Sequence, residues 1–364
     1  MSELENARKI INDVDKEMAS LFEKRMEAVA SVAKYKKERG LSILDTTREK
    51  EVIKNNSNYI INDEIKEYYI KFLEYNMELS RKYQSRLNDG MRVAYSGVEG
   101  AFAYIAAKKM FPEANLIAYQ SFEEAHKSVE EGICDACVLP IENSFAGDVG
   151  TVMDLIFSGS LYVNQVIDLP IEHNLLVNEG ATLETIKQVV SHPQALSQCS
   201  TYISNHNFEA RPYTNTALSA KLVKESGSNE IAAIASDETA KIFGLKILEG
   251  KINESRSNTT RFGAFSRVSN EQESKKRNMN DHFILVFTVK NEAGALAKTL
   301  DIIGAHGFNM RNLRSRPMKE LLWSYYFYIE ADGNINTSNG KDMLRELNAI
   351  CDKLKLAGTY NSGK

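Results

Sequence analysis

Four cations in the N-terminal part of the chain, Arg8, Arg25, Lys36 and Arg48, lie within or beside apolar residues that recur every three or four positions. Arg25 and Lys36 are about three helical turns apart, so a helix places both on one largely apolar face. Buried cations without partners cost several kcal/mol, so each needs an anion or a compensating network. The pattern predicts a pocket for a small dianion within a helix bundle, unless both side chains extend to water from the edge of the stripe.

The elements that would position these cations are helices. Residues 1–89 contain no proline and a single glycine, Gly40, which ends a first helix predicted from about residue 4 to 39. Thr46 and Glu49 have the spacing of a capping box that begins a second helix, and a third follows. Two short helices cannot cover an apolar stripe about 54 Å long, so we expect this block to dimerise.

The rest of the chain has a different pattern of apolar and polar residues, so the protein is predicted to be multidomain. Residues 91–268 alternate strand-like and helix-like segments, which is typical of an α/β domain, here with two lobes. Residues 269–280 are polar and predict a linker. Residues 281–364 show a β-α-β-β-α order with a final strand near Gly358, which predicts an α+β, ferredoxin-like domain.

Composition excludes several function classes. The formal net charge is −4, the pI is about 6.0 and no basic tract stands out, so we expect no nucleic-acid partner. No apolar run of about 18 residues occurs and the N-terminus is polar, so we expect no membrane partner and a cytoplasmic location. Cys134 and Cys137 begin a predicted strand, which favours buried core residues over metal ligands. We expect neither a metal nor a cofactor.

The first block resembles the all-helical class of chorismate mutases. Eight residues match that family's active-site pattern in order and approximate spacing: Arg8, Arg25, Lys36, Asp45, Arg48, Glu49, Ser80 and Gln84. The resemblance implies a dimer of interleaved protomers that rearranges chorismate to prephenate, with Arg8 reaching the partner's pocket. Arg25 and Arg8 would clamp the two substrate carboxylates.

The same resemblance implies roles for the other matched residues. Lys36 and Gln84 would donate to the breaking ether oxygen as the catalytic residues. Glu49 or Asp45 would hold the ring hydroxyl or orient the cations, and Arg48 would line the pocket or hold its acidic neighbours.

The middle block resembles prephenate dehydratase through four dispersed motifs: Gly97-Val98-Glu99-Gly100, Pro140-Ile141-Glu142-Asn143-Ser144, Ser191-His192-Pro193-Gln194 and Thr259-Thr260-Arg261-Phe262. This implies a periplasmic-binding-protein-like fold that binds prephenate, expels carbon dioxide and the ring hydroxyl, and yields phenylpyruvate. Thr260 would donate to the leaving hydroxyl, with Asn143 and Gln194 as further catalytic residues.

Other residues of these motifs are expected to bind the substrate. Ser144 and Thr216 would supply neutral donors, and Arg261 would pair with a substrate carboxylate. The Gly97–Gly100 turn would aim backbone N–H groups at an anion. Ser191 belongs to the same matched segment, and Glu142 is expected to satisfy backbone amides.

The last block resembles an ACT domain through Gly294-Ala295-Leu296 and Ser315-Arg316-Pro317, which stand where that family builds a phenylalanine site. The resemblance implies feedback control by L-phenylalanine. One departure is Arg314, which stands where the enteric form has an acidic residue and so reverses a charge beside this expected site. Trp323 lies on the following strand and should report ligand binding.

The resemblances together cover nearly all of the chain and imply the fused chorismate mutase–prephenate dehydratase family. Two alternatives remain open at this point. A two-lobed domain beside an ACT domain could be a non-catalytic amino-acid sensor. The middle domain could also act on arogenate, although the attached mutase favours prephenate.

Overall fold

The computed structural model describes residues 2–39, 41, 43–255, 257–270, 281–318 and 324–361. Gly40, Trp323 and most of the predicted linker therefore lie outside the described residues. The chain divides into two compact units, an N-terminal unit of residues 1–92 and a C-terminal unit of residues 93–364.

The N-terminal unit is formed by the three predicted helices: α1 Glu3–Glu38, α2 Thr46–Ser57 and α3 Asp63–Asp89. The start of α2 differs from the prediction, because the N-cap is Asp45, whose side chain accepts a hydrogen bond from the Arg48 backbone at 2.9 Å. The expected capping box of Thr46 and Glu49 is therefore wrong. An aspartate preceding the threonine is at least as good a cap.

The apolar stripe of α1 stays largely uncovered within one chain. Ala33 is the buried residue of this helix. Large apolar side chains along the rest of it are exposed: Leu4, Ile10, Ile11, Val14, Met18, Leu21, Phe22 and Val32. None of the helices in the described ranges is long and apolar enough to span a bilayer.

The C-terminal unit contains many shorter elements. Its helices are α4 Phe102–Met110, α5 Phe122–Glu130, α6 Gly150–Ser158, α7 Pro193–Gln198, α8 Ser200–Asn205, α9 Thr216–Ser226, α10 Asp237–Phe243, α11 Ala295–Ala305 and α12 Ser338–Ile350. Its strands are β1 Arg92–Ser96, β2 Asn115–Tyr119, β3 Ala136–Asn143, β4 Gly147–Asp148, β5 Tyr162–Pro170, β6 Asn174–Val177, β7 Gln188–Ser191, β8 Glu209–Pro212, β9 Ile231–Ala235, β10 Lys246–Glu249, β11 Thr259–Ser266, β12 Asp281–Thr288, β13 Asn309–Pro317, β14 Tyr325–Asp332 and β15 Lys353–Asn361.

The predicted pair of lobes is present, and each lobe is built on a β-sheet. The first lobe has the strand order β2-β1-β3-β11-β5, and the second has β10-β6-β9-β7-β8. The chain enters the second lobe at Ile171 and leaves it at Asn258, and the two crossings are joined by an Ile171 N–H to Asn258 carbonyl bond of 2.8 Å. Cys134 and Cys137 are fully buried in the first lobe, which confirms their prediction as core residues.

The remaining elements follow the order β12-α11-β13-β14-α12-β15, with an antiparallel sheet β13-β14-β12-β15. This is a ferredoxin-like arrangement. The last helix, α12, ends at Ile350, and residues from Lys353 onward pair with β12 as the predicted final strand. At Gly358, β15 also pairs with Val163 of β5, so this sheet continues that of the first lobe.

Candidate active sites

In the N-terminal unit, Arg25 of α1 turns toward α3. Its guanidinium donates to the Ser80 hydroxyl and, at 3.5 Å, to the Asn76 carbonyl. Burial lowers the pKa of Arg25. Ser80 and Gln84 on α3 are buried, and the Gln84 Oε1 atom has no partner among the described residues. A cation and an unsatisfied amide thus occupy a partly dehydrated site between the two helices.

Two more of the predicted residues make contacts between elements of the same helical unit. The Lys36 ammonium is half-buried and donates to the Ile43 carbonyl at 2.6 Å, in the segment between α1 and α2. Glu49 on α2 forms an ion pair with Arg81 of α3, with both side chains about one-third exposed or less. Neither Arg25 nor Lys36 extends freely into solvent.

Three other predicted residues lie apart from the cluster within one chain. Arg8 is exposed and precedes Arg25 on α1 by roughly 25 Å at ~1.5 Å per residue. The Arg48 side chain is 66% exposed and pairs with Glu51 at 3.2 Å. Asp45 accepts from the backbone at the start of α2, as described above, so its local contacts favour a capping role.

In the C-terminal unit, a cleft of about 210 Å³ opens between the two lobes. It is lined by Ala101, Phe102, Asn143, Ile171, His173, His192, Gln194, Ala195, Gln198, Asn215, Thr216 and Thr260. Four of the predicted site residues are therefore brought together here: Asn143, Gln194, Thr216 and Thr260. This described lining contains no Lys, Arg, Asp or Glu.

Asn143 and Thr260 form the most constrained polar contact of the cleft. They are cross-strand partners of β3 and β11, and the Asn143 amide nitrogen donates to the Thr260 hydroxyl at 2.8 Å. The Asn143 Oδ1 atom accepts from the backbone N–H groups of Phe145 and Ala146 at 3.0 and 2.8 Å. Because the Thr260 oxygen is an acceptor in this contact, its proton is available to a molecule in the cleft.

Three helices begin at the cleft. Ala101 is the N-cap of α4 and makes no side-chain cap bond, while His192 and Asn215 cap α7 and α9. Helix N-termini present unpaired N–H groups and a partial positive charge, so their convergence favours an anionic ligand. The cleft can therefore bind an anion without a cationic side chain.

Comparisons with known proteins identify both units. The prephenate dehydratase family model matches residues 93–270, and the chorismate mutase type II model matches residues 7–85. A bifunctional chorismate mutase/prephenate dehydratase of Buchnera aphidicola subsp. Acyrthosiphon pisum is 30% identical over 97% of this chain and 95% of its own length. The chain belongs to the bifunctional chorismate mutase/prephenate dehydratase family. It carries both activities, a mutase in the helical unit and a dehydratase in the two-lobed domain.

Two further similarities concern the C-terminal unit. An arogenate dehydratase/prephenate dehydratase of Arabidopsis thaliana is 31% identical over 74% of this chain and 72% of its own length. The crystal structure of prephenate dehydratase in complex with L-Phe from Arthrobacter aurescens is 30% identical and superposes with a TM-score of 0.68. It covers 74% of this chain and 90% of that one.

Two pocket residues of the dehydratase were missed by the sequence analysis. His173 and Gln198 are buried in the cleft wall, and the His173 Nε2 and Gln198 Oε1 atoms are 2.8 Å apart. Burial lowers the pKa of His173, which favours the neutral ring. Donation from Nε2–H to Oε1 then leaves the Gln198 amide nitrogen to donate into the cleft. Gln198 follows Gln194 by one helical turn, and this spacing is the signal that could have found it.

Two predicted residues of the dehydratase, Arg261 and Glu142, lie outside the cleft lining. Arg261 pairs with Asp168 at 3.0 Å and with Glu330 of β14 at 3.2 Å instead of facing the cleft. Glu142 was expected to satisfy backbone amides, but it pairs with Arg314 of β13 at 2.5 Å. The reason is strand geometry: successive side chains point to opposite sides, so the neighbours of Asn143 and Thr260 cannot share their cleft.

Four other predicted residues are not part of the cleft lining and instead contribute to the turns beside it. Gly97 and Gly100 adopt positive φ angles in the turn that leads to α4, and the Gly100 carbonyl accepts from Thr239 at 2.8 Å. The buried Ser191 hydroxyl donates to the Ile234 carbonyl at 2.6 Å, and Ser144 donates to the Ser257 carbonyl at 3.1 Å. These contacts shape the turns that carry the lining residues.

The expected effector residues separate into two groups. Gly294 is the left-handed N-cap of α11, followed by Ala295 and Leu296, and Leu296 lines a cavity of about 350 Å³. Arg314 and Arg316 face the first lobe, where Arg314 also contacts Asp148 at 3.0 Å. Arg316 donates to Asp154 and Tyr326. Ser315 and Pro317 alternate with them on β13 and are exposed.

Proposed function

We propose that the helical cluster converts chorismate to prephenate and that the interlobe cleft converts prephenate to phenylpyruvate through the Thr260 hydroxyl. The observation that carries the second assignment is the Asn143–Thr260 contact in a cleft to which three helices turn their N-termini. Prephenate is a dianion, and N–H groups at these termini suit its two carboxylates without the cation that Arg261 was expected to supply.

In this mechanism the residues hold the substrate and stabilise the leaving group. The bond to the departing carboxyl group breaks, and its electron pair enters the ring as the ring hydroxyl leaves. The hydroxyl departs as water after taking up a proton, so carbon dioxide, water and phenylpyruvate account for all atoms. Thr260 donates a hydrogen bond to that oxygen, since a free hydroxyl is a poor acid. Gln194 and Gln198 supply further neutral donors.

In the mutase, catalysis requires positioning and electrostatic stabilisation, because the rearrangement is unimolecular. We assign Arg25 to a substrate carboxylate and Lys36 and Gln84 to the ether oxygen. Two protomers that pair through the exposed stripe of α1 would cover apolar surface that one chain leaves in water. Such pairing would also bring Arg8 of the second protomer to a site that lacks it within one chain.

We assign the ferredoxin-like domain to feedback control by L-phenylalanine. Its 350 Å³ cavity combines apolar Leu296 and Phe327 with charged Lys290 and Glu292, a lining suited to a zwitterion with an aromatic side chain. A coupling of about 1–3 kcal/mol would change the apparent affinity for prephenate roughly 5–150-fold. Dehydratase rates that do not change in millimolar phenylalanine would refute this assignment.

The test of the two-site function uses Thr260→Val with Thr259→Val as a matched control. Thr259 is the preceding residue of the same strand and donates its hydroxyl to the Ser257 carbonyl outside the cleft. Thr260→Val should abolish phenylpyruvate formation while chorismate loss continues, and Thr259→Val should retain both activities. A parallel decline of both activities in Thr260→Val would contradict separate sites, and rates on arogenate beside prephenate identify the preferred substrate.

A further inference from the structure

The two strands that carry Asn143 and Thr260 form ion pairs with the ferredoxin-like domain on the side opposite the cleft. Glu142 precedes Asn143 on β3, Arg261 follows Thr260 on β11, and Glu142 and Arg261 are themselves cross-strand partners. Both charged side chains point away from the cleft, as neighbours on a strand must. Each is bound by a residue of opposite charge on the ferredoxin-like domain, as described above.

A bulge lies immediately beyond this pair of positions. Arg261 pairs with Glu142, but the next residue, Phe262, pairs with Pro140, so Ile141 is the extra residue on β3. Bulges redirect side chains and loosen the ladder locally. The ladder is therefore irregular on the β3 side, whereas β11 keeps a regular ladder with β5 on its other side from Thr259 to Ala264. Side-chain contacts made by Glu142 and Arg261 add to these backbone bonds.

Glu330 supplies the most buried of these contacts. Its side chain is 2% exposed and accepts from the Arg261 guanidinium at 3.2 and 3.3 Å. The hydroxyls of Tyr328 and Tyr360 donate to the same carboxylate. A carboxylate with this burial must be paired, and Arg261 is its cationic partner among the described residues. The geometry of Arg261 therefore depends on Glu330, outside the dehydratase lobes, as well as on Asp168 within them.

We propose that Glu330 of the ferredoxin-like domain is a positioning residue for the dehydratase reaction. It fixes Arg261, and Arg261 in turn fixes the start of β11, so that the Thr260 hydroxyl stays within hydrogen-bond distance of the Asn143 amide. The proposal rests on the assigned role of Thr260. It makes the ferredoxin-like domain part of the support of the active site as well as a site for an effector.

The test is Glu330→Gln in the full chain, because glutamine keeps the shape and an acceptor for the tyrosines but removes the charge that faces Arg261. A displacement of about 1 Å at a reacting group costs about 100-fold. The dehydratase kcat should therefore fall about 10- to 100-fold with KM little changed, since the helix N-termini that bind the carboxylates are untouched. Mutase activity of the same chain should stay at the wild-type level.

Glu346→Gln is the matched control, because it makes the same substitution at an exposed carboxylate of the same domain, on α12. It should leave the dehydratase kcat unchanged. Asp168→Ala removes the exposed second partner of Arg261 and provides a variant whose folding is not at risk. It should lower kcat severalfold, again with KM retained.

A double-variant comparison checks that Glu330 acts through Arg261. If it does, Glu330→Gln combined with Arg261→Gln should have a kcat close to that of Arg261→Gln alone, whereas independent residues would give multiplied losses. A wild-type kcat in both Glu330→Gln and Asp168→Ala, or a loss confined to KM, would overturn the proposal. Thr260→Val measured alongside separates this failure from failure of the two-site function.

Discussion

Asn143 determines the direction of the hydrogen bond that it makes with Thr260. An amide can be turned by 180° with little change in shape, but the Asn143 Oδ1 atom accepts from two backbone N–H groups, of Phe145 and Ala146. The amide nitrogen must then face Thr260, which makes the hydroxyl an acceptor toward Asn143 and a donor toward the cleft. The backbone turn after β3 thus determines the direction in which the Thr260 hydroxyl donates its proton, although Thr260 is more than 100 positions away along the chain.

In the mutase, Gln84 tests whether a neutral donor is required. In Gln84→Glu the new side chain can donate to the ether oxygen only when it is protonated, and burial raises the pKa of a carboxyl. Mutase activity at neutral pH should fall on the order of 10²–10³-fold and recover as the pH is lowered through that pKa. The measurement is a pH–rate profile of chorismate loss. Gln84→Ala should be slow at every pH, and a flat profile for Gln84→Glu would reject the assignment.

At single positions, the sequence located residues well but not the directions of their side chains. Asn143, Gln194, Thr216 and Thr260 line the cleft as predicted by their motifs. Arg261 lies beside a site residue in the sequence, yet its contacts depend on strand alternation and on a domain some 70 positions further along. Sequence spacing within one motif does not record which side of a sheet is covered by another domain.

At the scale of elements, strand β15 holds the end of helix α6. Lys355 donates to the carbonyls of Ile156 and Gly159 at 2.8 and 2.5 Å, where the helix leaves its last carbonyls unpaired. Burial and the nearby Lys353 lower the pKa of Lys355 to about 8, and Glu130 acts in the opposite direction. The contact therefore satisfies carbonyls at the cost of a partly dehydrated charge.

This contact predicts a pH dependence of stability whose sign follows from the direction of the shift. Between the folded pKa of about 8 and the unfolded value of 10.5, the unfolded chain binds more protons, so the contribution of Lys355 to stability rises with pH. Lys355→Gln keeps a neutral donor and should raise Tm below pH 8. Its advantage over the unsubstituted chain should shrink toward pH 10.5, as measured by thermal unfolding. Lys341→Gln, an exposed lysine on α12, should show no such trend.

At the scale of the whole molecule, the order of the domains could be predicted because each segment has its own sequence pattern. Long helical periodicity, alternation of short strands and helices, and a β-α-β-β-α order are all visible along the chain. The continuation of the ferredoxin-like sheet into the first lobe was not foreseen, since it rests on one residue pair, Gly358 and Val163. A single pairing between distant strands leaves no periodic signal.

The exposed stripe of α1 and the separation of Arg8 from Arg25 together predict that each mutase site is built by two protomers. Arg8→Ala and Arg25→Ala chains should each lose mutase activity, because each removes one carboxylate clamp from every site. When the two chains are produced together, a mixed dimer contains one site with both substitutions and one with neither. Random pairing should therefore restore about a quarter of the wild-type mutase activity. Phenylpyruvate formation from prephenate measures the amount of folded protein in the same samples. If Arg8 and Arg25 acted within one protomer, no pairing could restore activity, so an inactive mixture with normal dehydratase rates would contradict the shared site.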